Sequence, residues 1–176
     1  MNTKAGLPYP PFTLASKFAV KLGLRLAGRF FQEAVEPVHV LLGLLRTSGN
    51  ANEIFQHLGT TTKGLHDEAW SVCKEMPFCC ICMGTMPQSV QLRRVIDGSM
   101  RDWQLRPTTP AVTTANLLKN LADEHSDIAA KLLHKYGLTS GDVEDHMWVT
   151  RDSFWWEGDE IYEIGGQSDS FGGEEF

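Results

Sequence analysis

The chain has 176 residues, 42% apolar and 22% charged, with a formal net charge of −6, the balance of a globular chain rather than a disordered or fibrous one. Residues 1–141 hold 15 Lys/Arg against 11 Asp/Glu, whereas 142–176 hold one, Arg151, against 11; an acidic tail that competes for any basic patch argues against a nucleic-acid partner. No window approaches the roughly 20 apolar residues of a membrane helix, and the N-terminal run MNTKAGLPYPPF lacks the apolar stretch of a signal peptide, so a cytoplasmic chain with no membrane contact is expected.

In chain order, Pro8, Pro10 and Pro11 precede a first helix whose apolar stripe is Phe12, Ala15, Ala19, Leu22 and Leu26, recurring every three or four residues. Pro37 opens a second helix around Val40, Leu41 and Leu44, where a proline costs least. A third runs from Ala51 to Leu58 and stops at Gly59, the place for a left-handed C-cap. A fourth restarts at Thr61. After a segment bracketed by Pro77 and Pro87, a fifth helix uses Leu92, Val95, Ile96, Ser99 or Met100, and Trp103, and a sixth uses Leu117, Leu118 and Leu121. The seventh, Ile128 to Tyr136, stops at Gly137, and the eighth restarts at Thr139, which with Asp142 resembles a capping box. No alternating run is long enough for a convincing strand.

The second four helices repeat the first. At an offset of 78, Ala51 falls on Ala129, Ile54 on Leu132, Phe55 on Leu133, Gly59 on Gly137, Leu65 on Val143 and Trp70 on Trp148. Upstream the offset becomes 77, placing Val40-Leu41 on Leu117-Leu118, Leu44 on Leu121 and Phe18-Ala19 on Val95-Ile96. Such a run in register marks a duplication. The expected organisation is all-α, about eight helices in two tandem pseudo-repeats: an N-terminal extension 1–11, repeat one 12–74, a Cys-rich linker 75–86, repeat two 87–149 and an acidic, aromatic tail 150–176.

Pro37-Val-His-Val-Leu-Leu-Gly-Leu44, its degraded counterpart Thr114-Ala-Asn-Leu-Leu-Lys-Asn-Leu121, and the two stretches ending at Gly59 and Gly137 resemble the Clp N-terminal domain family over about residues 12–149. That family supplies the N domains of Clp-type AAA+ unfoldases and stand-alone accessory subunits of Clp protease. The resemblance implies a module that binds unfolded substrates, adaptors or the rest of a Clp protease. Some bacterial members hold phosphorylated arginine through a Glu in each repeat; Val38 and Ala115 stand there, and neither can accept a guanidinium hydrogen bond. His39 keeps the family identity, with an expected role in tying down the start of its helix.

No catalytic constellation is visible. No lysine is followed by Ser or Thr, which excludes a Walker A loop, and neither H-E-x-x-H nor G-x-S-x-G occurs. An enzyme is not expected, and no cofactor. Cys73, Cys79, Cys80 and Cys82 can pack at the seam between the repeats, form a redox or disulfide pair, or bind metal; Cys79, Cys80 and Cys82 are the metal candidates, although their spacing fits a zinc knuckle poorly. In the tail, Phe154, Trp155, Trp156 and Tyr162 alternate with acids and are the candidate protein-binding residues, since Trp and Tyr dominate interface hot spots; the same segment can instead fold back over its own repeats. The expected function is a non-catalytic protein-binding module, accessory or adaptor-like, whose partner is a Clp-type unfoldase, a Clp protease subunit or a client protein. The alternative is a stand-alone sensor or regulatory domain answering to a small ligand, metal or redox signal through the cysteines.

Overall fold

A computed structural model describes residues 12–78, 86–105, 111–123, 127–149 and 161–162. The described residues form β1 (Phe12–Thr13), α1 (Leu14–Arg29), α2 (Pro37–Leu45), α3 (Asn50–His57), α4 (Thr62–Glu75), α5 (Val90–Leu105), α6 (Thr114–Asp123), α7 (Ile128–Lys135), α8 (Ser140–Val149) and β2 (Ile161–Tyr162). Eight helices in two successive sets of four realise the duplicated all-α architecture. One continuous core joins the sets, with Leu41, Leu44, Ile54 and Phe55 of the first buried in the same cluster as Leu117, Leu118, Leu121 and Leu133 of the second.

Local chemistry sets the helix ends. Gly59 and Gly137 adopt φ +63° and +75°, the left-handed conformation that a residue with a Cβ resists. In each case the following residue donates back across the turn, Thr60 N–H to the Phe55 carbonyl at 2.9 Å and Leu138 N–H to the Leu133 carbonyl at 3.0 Å. α1 ends in the same way, Gln32 N–H reaching the Ala27 carbonyl at 3.0 Å, but the left-handed position is Phe31, φ +53°. At the start of α8 the Thr139 N–H donates to Asp142 at 2.9 Å and the Asp142 N–H to Thr139 Oγ1 at 3.3 Å, the expected capping box.

α1 crosses α2 closely because small residues line the contact. A Cβ on Gly43 would lie 2.1 Å from the Ala19 carbonyl oxygen, and one on Gly23 would lie 3.0 Å from the His39 carbonyl. In the second unit Ser99, on α5, donates its hydroxyl to the Asn116 carbonyl at 3.1 Å. Gly23 and Ser99 are therefore equivalent, and the buried positions Ser16, Ala19 and Gly23 match Leu92, Val95 and Ser99. This corrects the expected pairing of Phe18-Ala19 with Val95-Ile96 by one residue: Phe18 faces outward, whereas Val95 is buried.

Two further expectations change. Phe12 does not open the helical stripe; it lies in β1, and the Ser16 N–H donates to Thr13 Oγ1 at 3.2 Å, so Thr13 caps α1. A short strand pair also exists, β1 and β2 antiparallel with Phe12 opposite Tyr162 and Thr13 opposite Ile161. On its other side Thr13 N–H donates to the Val112 carbonyl at 3.0 Å, so β1 lies between the second unit and the tail. The units are also tied where Val35 N–H donates to the Pro87 carbonyl (2.9 Å) and Ser89 N–H to the Val35 carbonyl (3.0 Å).

Candidate protein-binding surface

Helix geometry divides α1 into two faces. At 3.6 residues per turn, Ser16, Ala19, Gly23, Leu26 and Ala27 share the buried side. Leu14, Phe18, Lys21 and Arg25, spaced i, i+4, i+7 and i+11, fall on the opposite side. Leu14 and Phe18 are 45% and 48% exposed. α1 carries Lys17, Lys21, Arg25 and Arg29 and no acid, so its outward stripe is apolar at the N-terminal end and cationic beyond.

A cavity of about 320 Å³ lies at the seam between the units. Phe12 of β1 and Val20 of α1 form one side, Ile96 and Met100 of α5 the other, with Gln88, Arg93 and Asp97 also on its wall. Apolar walls with a few charges at the edge suit a side chain of another polypeptide better than a small polar ligand. Sequence reasoning passed over both features. The only signal was that Ile96 and Met100 repeat on the flank of α5 rather than in the buried row of Leu92, Val95 and Ser99.

His39 takes the role expected of it. Its Nδ1 accepts the Glu36 N–H at 3.0 Å, holding the first turn of α2. The second unit does the same with Asn116, whose Oδ1 accepts the Thr113 N–H at 2.9 Å. The imidazole is buried and its Nε2 has no partner among the described residues. Desolvation by burial is the main cause of its pKa being pushed down to about 4. The ring is therefore neutral at physiological pH and structural. Val38 and Ala115, which flank the capping residues of α2 and α6, are buried and face the core.

On the far side of unit one, Arg46 lies 4.8 Å from the Trp70 ring centre and donates from Nε to His66 Nε2 at 3.0 Å. Phe30 meets Trp70 edge-on at 4.8 Å. These contacts lock the end of α2 to α4. Of the remaining described histidines, His57 and His146 bring their ring centres within 6.4 Å of each other across the two units, while His146 also contacts the Asp142 carbonyl at 2.8 Å and His134 the Ala122 carbonyl at 2.9 Å.

Of the cysteines, Cys73 is buried and desolvation raises its thiol pKa to about 12, which disfavours the thiolate a metal or an oxidant needs. Cys79, Cys80 and Cys82 lie outside the described residues, as do Phe154, Trp155 and Trp156. Tyr162 lies in β2 opposite Phe12. Among the described residues no group of three or more His, Cys, Asp or Glu is placed to hold a metal, and no helix is long and apolar enough to cross a membrane.

Two four-helix units fused through one core define a duplicated helical domain. The chain belongs to the Clp repeat (R) N-terminal domain family, whose model matches residues 11–136. Its fold is shared with solved N-terminal domains at low identity. The Hsp104 N-terminal domain from Candida albicans has a TM-score of 0.67 at 14% identity, over 81% of this chain and 92% of that one. The N-terminal domain of the ClpV1 ATPase from E. coli EAEC gives 0.69 at 14%, over 85% and 90%. The N-terminal domain of the chaperone ClpD from Arabidopsis thaliana gives 0.56 at 19%, over 78% and 95%. No curated protein matches the chain at a significant level.

Proposed function

We propose that the chain is a non-catalytic protein-binding module, accessory or adaptor-like, that receives an apolar segment of a Clp-type chaperone, a Clp protease subunit or a client protein. The observation that carries this reading is the outward stripe of α1, where Leu14 and Phe18 stand nearly half exposed on the face turned away from the core. Exposed large apolar side chains arranged as a stripe mark a surface that gains free energy by being covered. Membership of the Clp repeat family supports a receiving role. The cations along α1 add long-range attraction for acidic segments, which raises association rates more than affinity.

The test is fluorescence anisotropy with the purified full chain, a labelled, permanently unfolded protein such as reduced carboxymethylated α-lactalbumin, and separately a Clp-type unfoldase. Binding to at least one is expected, weakened about tenfold or more by Phe18→Glu, which removes an exposed anchor without touching the core. If neither binds, or if Phe18→Glu binds as well as the unaltered chain, the proposed surface is wrong.

A further inference from the structure

We infer that the seam between the units accepts a partner segment that is acidic as well as apolar: one apolar side chain enters the cavity between α1 and α5, and a carboxylate beside it on the same segment pairs with Arg93. This rests on the reading of the chain as a protein-binding module and names the chemistry it selects.

The cavity wall is itself duplicated. With Ala19 and Gly23 matched to Val95 and Ser99, Val20 of α1 falls on Ile96 of α5, Lys17 on Arg93 and Arg25 on Arg101. Val20 and Ile96 both line the cavity, together with Phe12 and Met100, and Arg93 stands on the same wall. Lys17 precedes Val20 by one helical turn, as Arg93 precedes Ile96. Each unit thus supplies an apolar side chain to the cavity and a cation one turn before it. One equivalent pair departs from the pattern: Lys21 falls on Asp97, the acid of that wall.

These cations are not consumed by the fold. Lys17, Lys21, Arg25 and Arg29 recur every four residues along α1, which holds no acid, and like charges so spaced repel one another. On α5, Asp102 is engaged by Lys119 of α6 at 3.1 Å, which leaves Asp97 as the acid beside Arg93, Arg94 and Arg101. Arg93 and Arg101 are exposed and, like Lys21, Arg25 and Arg29, form no ion pair among the described residues. From Lys17 to Arg29 the α1 ridge rises about 18 Å, or about five residues of extended chain.

A guanidinium at the edge of an apolar cavity discriminates by charge. A carboxylate takes two parallel hydrogen bonds from it, and the apolar wall alongside strengthens the pairing. A lysine or arginine brought to the same place loses water and meets like charge. Phe12, Val20, Ile96 and Met100 offer nothing to a ligand that is only anionic, so the apolar anchor and the carboxylate are required together. A second copy of this chain is a poor occupant, because an isologous contact would set the α1 cations against themselves.

The experiment titrates the full chain into three fluorescein-labelled synthetic peptides of equal length: a central Phe flanked by Glu, the same Phe flanked by Lys, and the Glu peptide with Ser in place of Phe. The acidic Phe peptide is expected to bind at least about tenfold more tightly than either of the others, with affinity falling as salt is raised. Arg93→Glu, at an exposed position, should reduce that affinity about tenfold. Arg93→Gln, which keeps the side-chain length and removes only the charge, should bring the acidic and lysine peptides closer together. Equal binding of the Glu and Lys peptides, equal binding of the Phe and Ser peptides, no binding of any, or a preference untouched by both Arg93 variants overturns the inference. A dimer in sedimentation that dissociates in Arg93→Glu also overturns it, making a second copy the occupant. If unfolded client or unfoldase binds through Phe18 while the peptides show no charge preference, the protein-binding reading stands and the selectivity is lost. If the acidic peptide binds through Arg93 while client and unfoldase ignore the chain, the seam's chemistry stands and the proposed partners are wrong.

Discussion

Replacing Gly43 by alanine should loosen the α1–α2 contact on which the binding face is built. The added Cβ would lie 2.1 Å from the Ala19 carbonyl oxygen and 2.9 Å from its carbonyl carbon. Both are backbone atoms of a helix, so no side chain can rotate away, and the helices must part by about 1 Å. Overpacking of that kind costs up to about 3 kcal/mol. Alanine returns about 1 kcal/mol through its higher helix propensity, leaving a net loss of about 2 kcal/mol. For a chain of this size that lowers Tm by about 4–8 °C. Gly28→Ala is the matched control, because nothing lies within 4 Å of a Cβ there; it should be neutral or stabilising by up to about 1 kcal/mol. Urea unfolding followed by circular dichroism measures both, read as a change in midpoint at constant slope. A Gly43→Ala chain within about 0.5 kcal/mol of the unaltered protein would refute the close crossing.

Other substitutions probe the remaining devices. His39 has a folded-state pKa of about 4 against an ordinary 6.5. Between those values the unfolded chain binds more protons, so the stability is complete above pH 6.5 and declines as the pH falls towards 4, by about 2 kcal/mol at pH 5. His39→Asn imitates Asn116, which caps the second unit without titrating, and should unfold with less acid sensitivity; parallel pH profiles for the two chains would contradict this. Phe31 holds a left-handed conformation that costs a non-glycine residue roughly 1–2 kcal/mol, and the residue is 65% exposed. Phe31→Gly should therefore raise the urea midpoint, and a lowered one would show that the ring contributes packing. Thr139→Ala removes the hydroxyl that accepts the Asp142 N–H and should cost about 1 kcal/mol, measured in the same way.

The architecture was legible because helix periodicity and helix punctuation agree. Leu41, Leu44, Leu117 and Leu121 mark buried faces, and Gly59 and Gly137 mark ends that only a left-handed residue can make. Register at the first helix of each unit was not legible. Ala19, Gly23 and Ser99 carry the contacts there, and small residues give almost no hydrophobic signal. Phe12 read as helical because its spacing fits a helix, yet its pairing partner Tyr162 is 150 positions away. A two-residue ladder has no periodicity to detect. His39 could be placed from its neighbours, since a buried side chain three residues into a helix is positioned to cap it. The cavity could not, because its walls come from β1, α1 and α5 and exist only once the units are joined.

The central claim is that the outward stripe of α1 is where another polypeptide lies. Backbone amide shifts of the full, isotope-labelled chain, recorded during titration with an unfolded client, test it most directly. Perturbations should concentrate on residues 12–25 and on Ile96 and Met100 across the seam. Perturbations confined to α3, α7 and α8, with residues 12–25 unmoved, would contradict it.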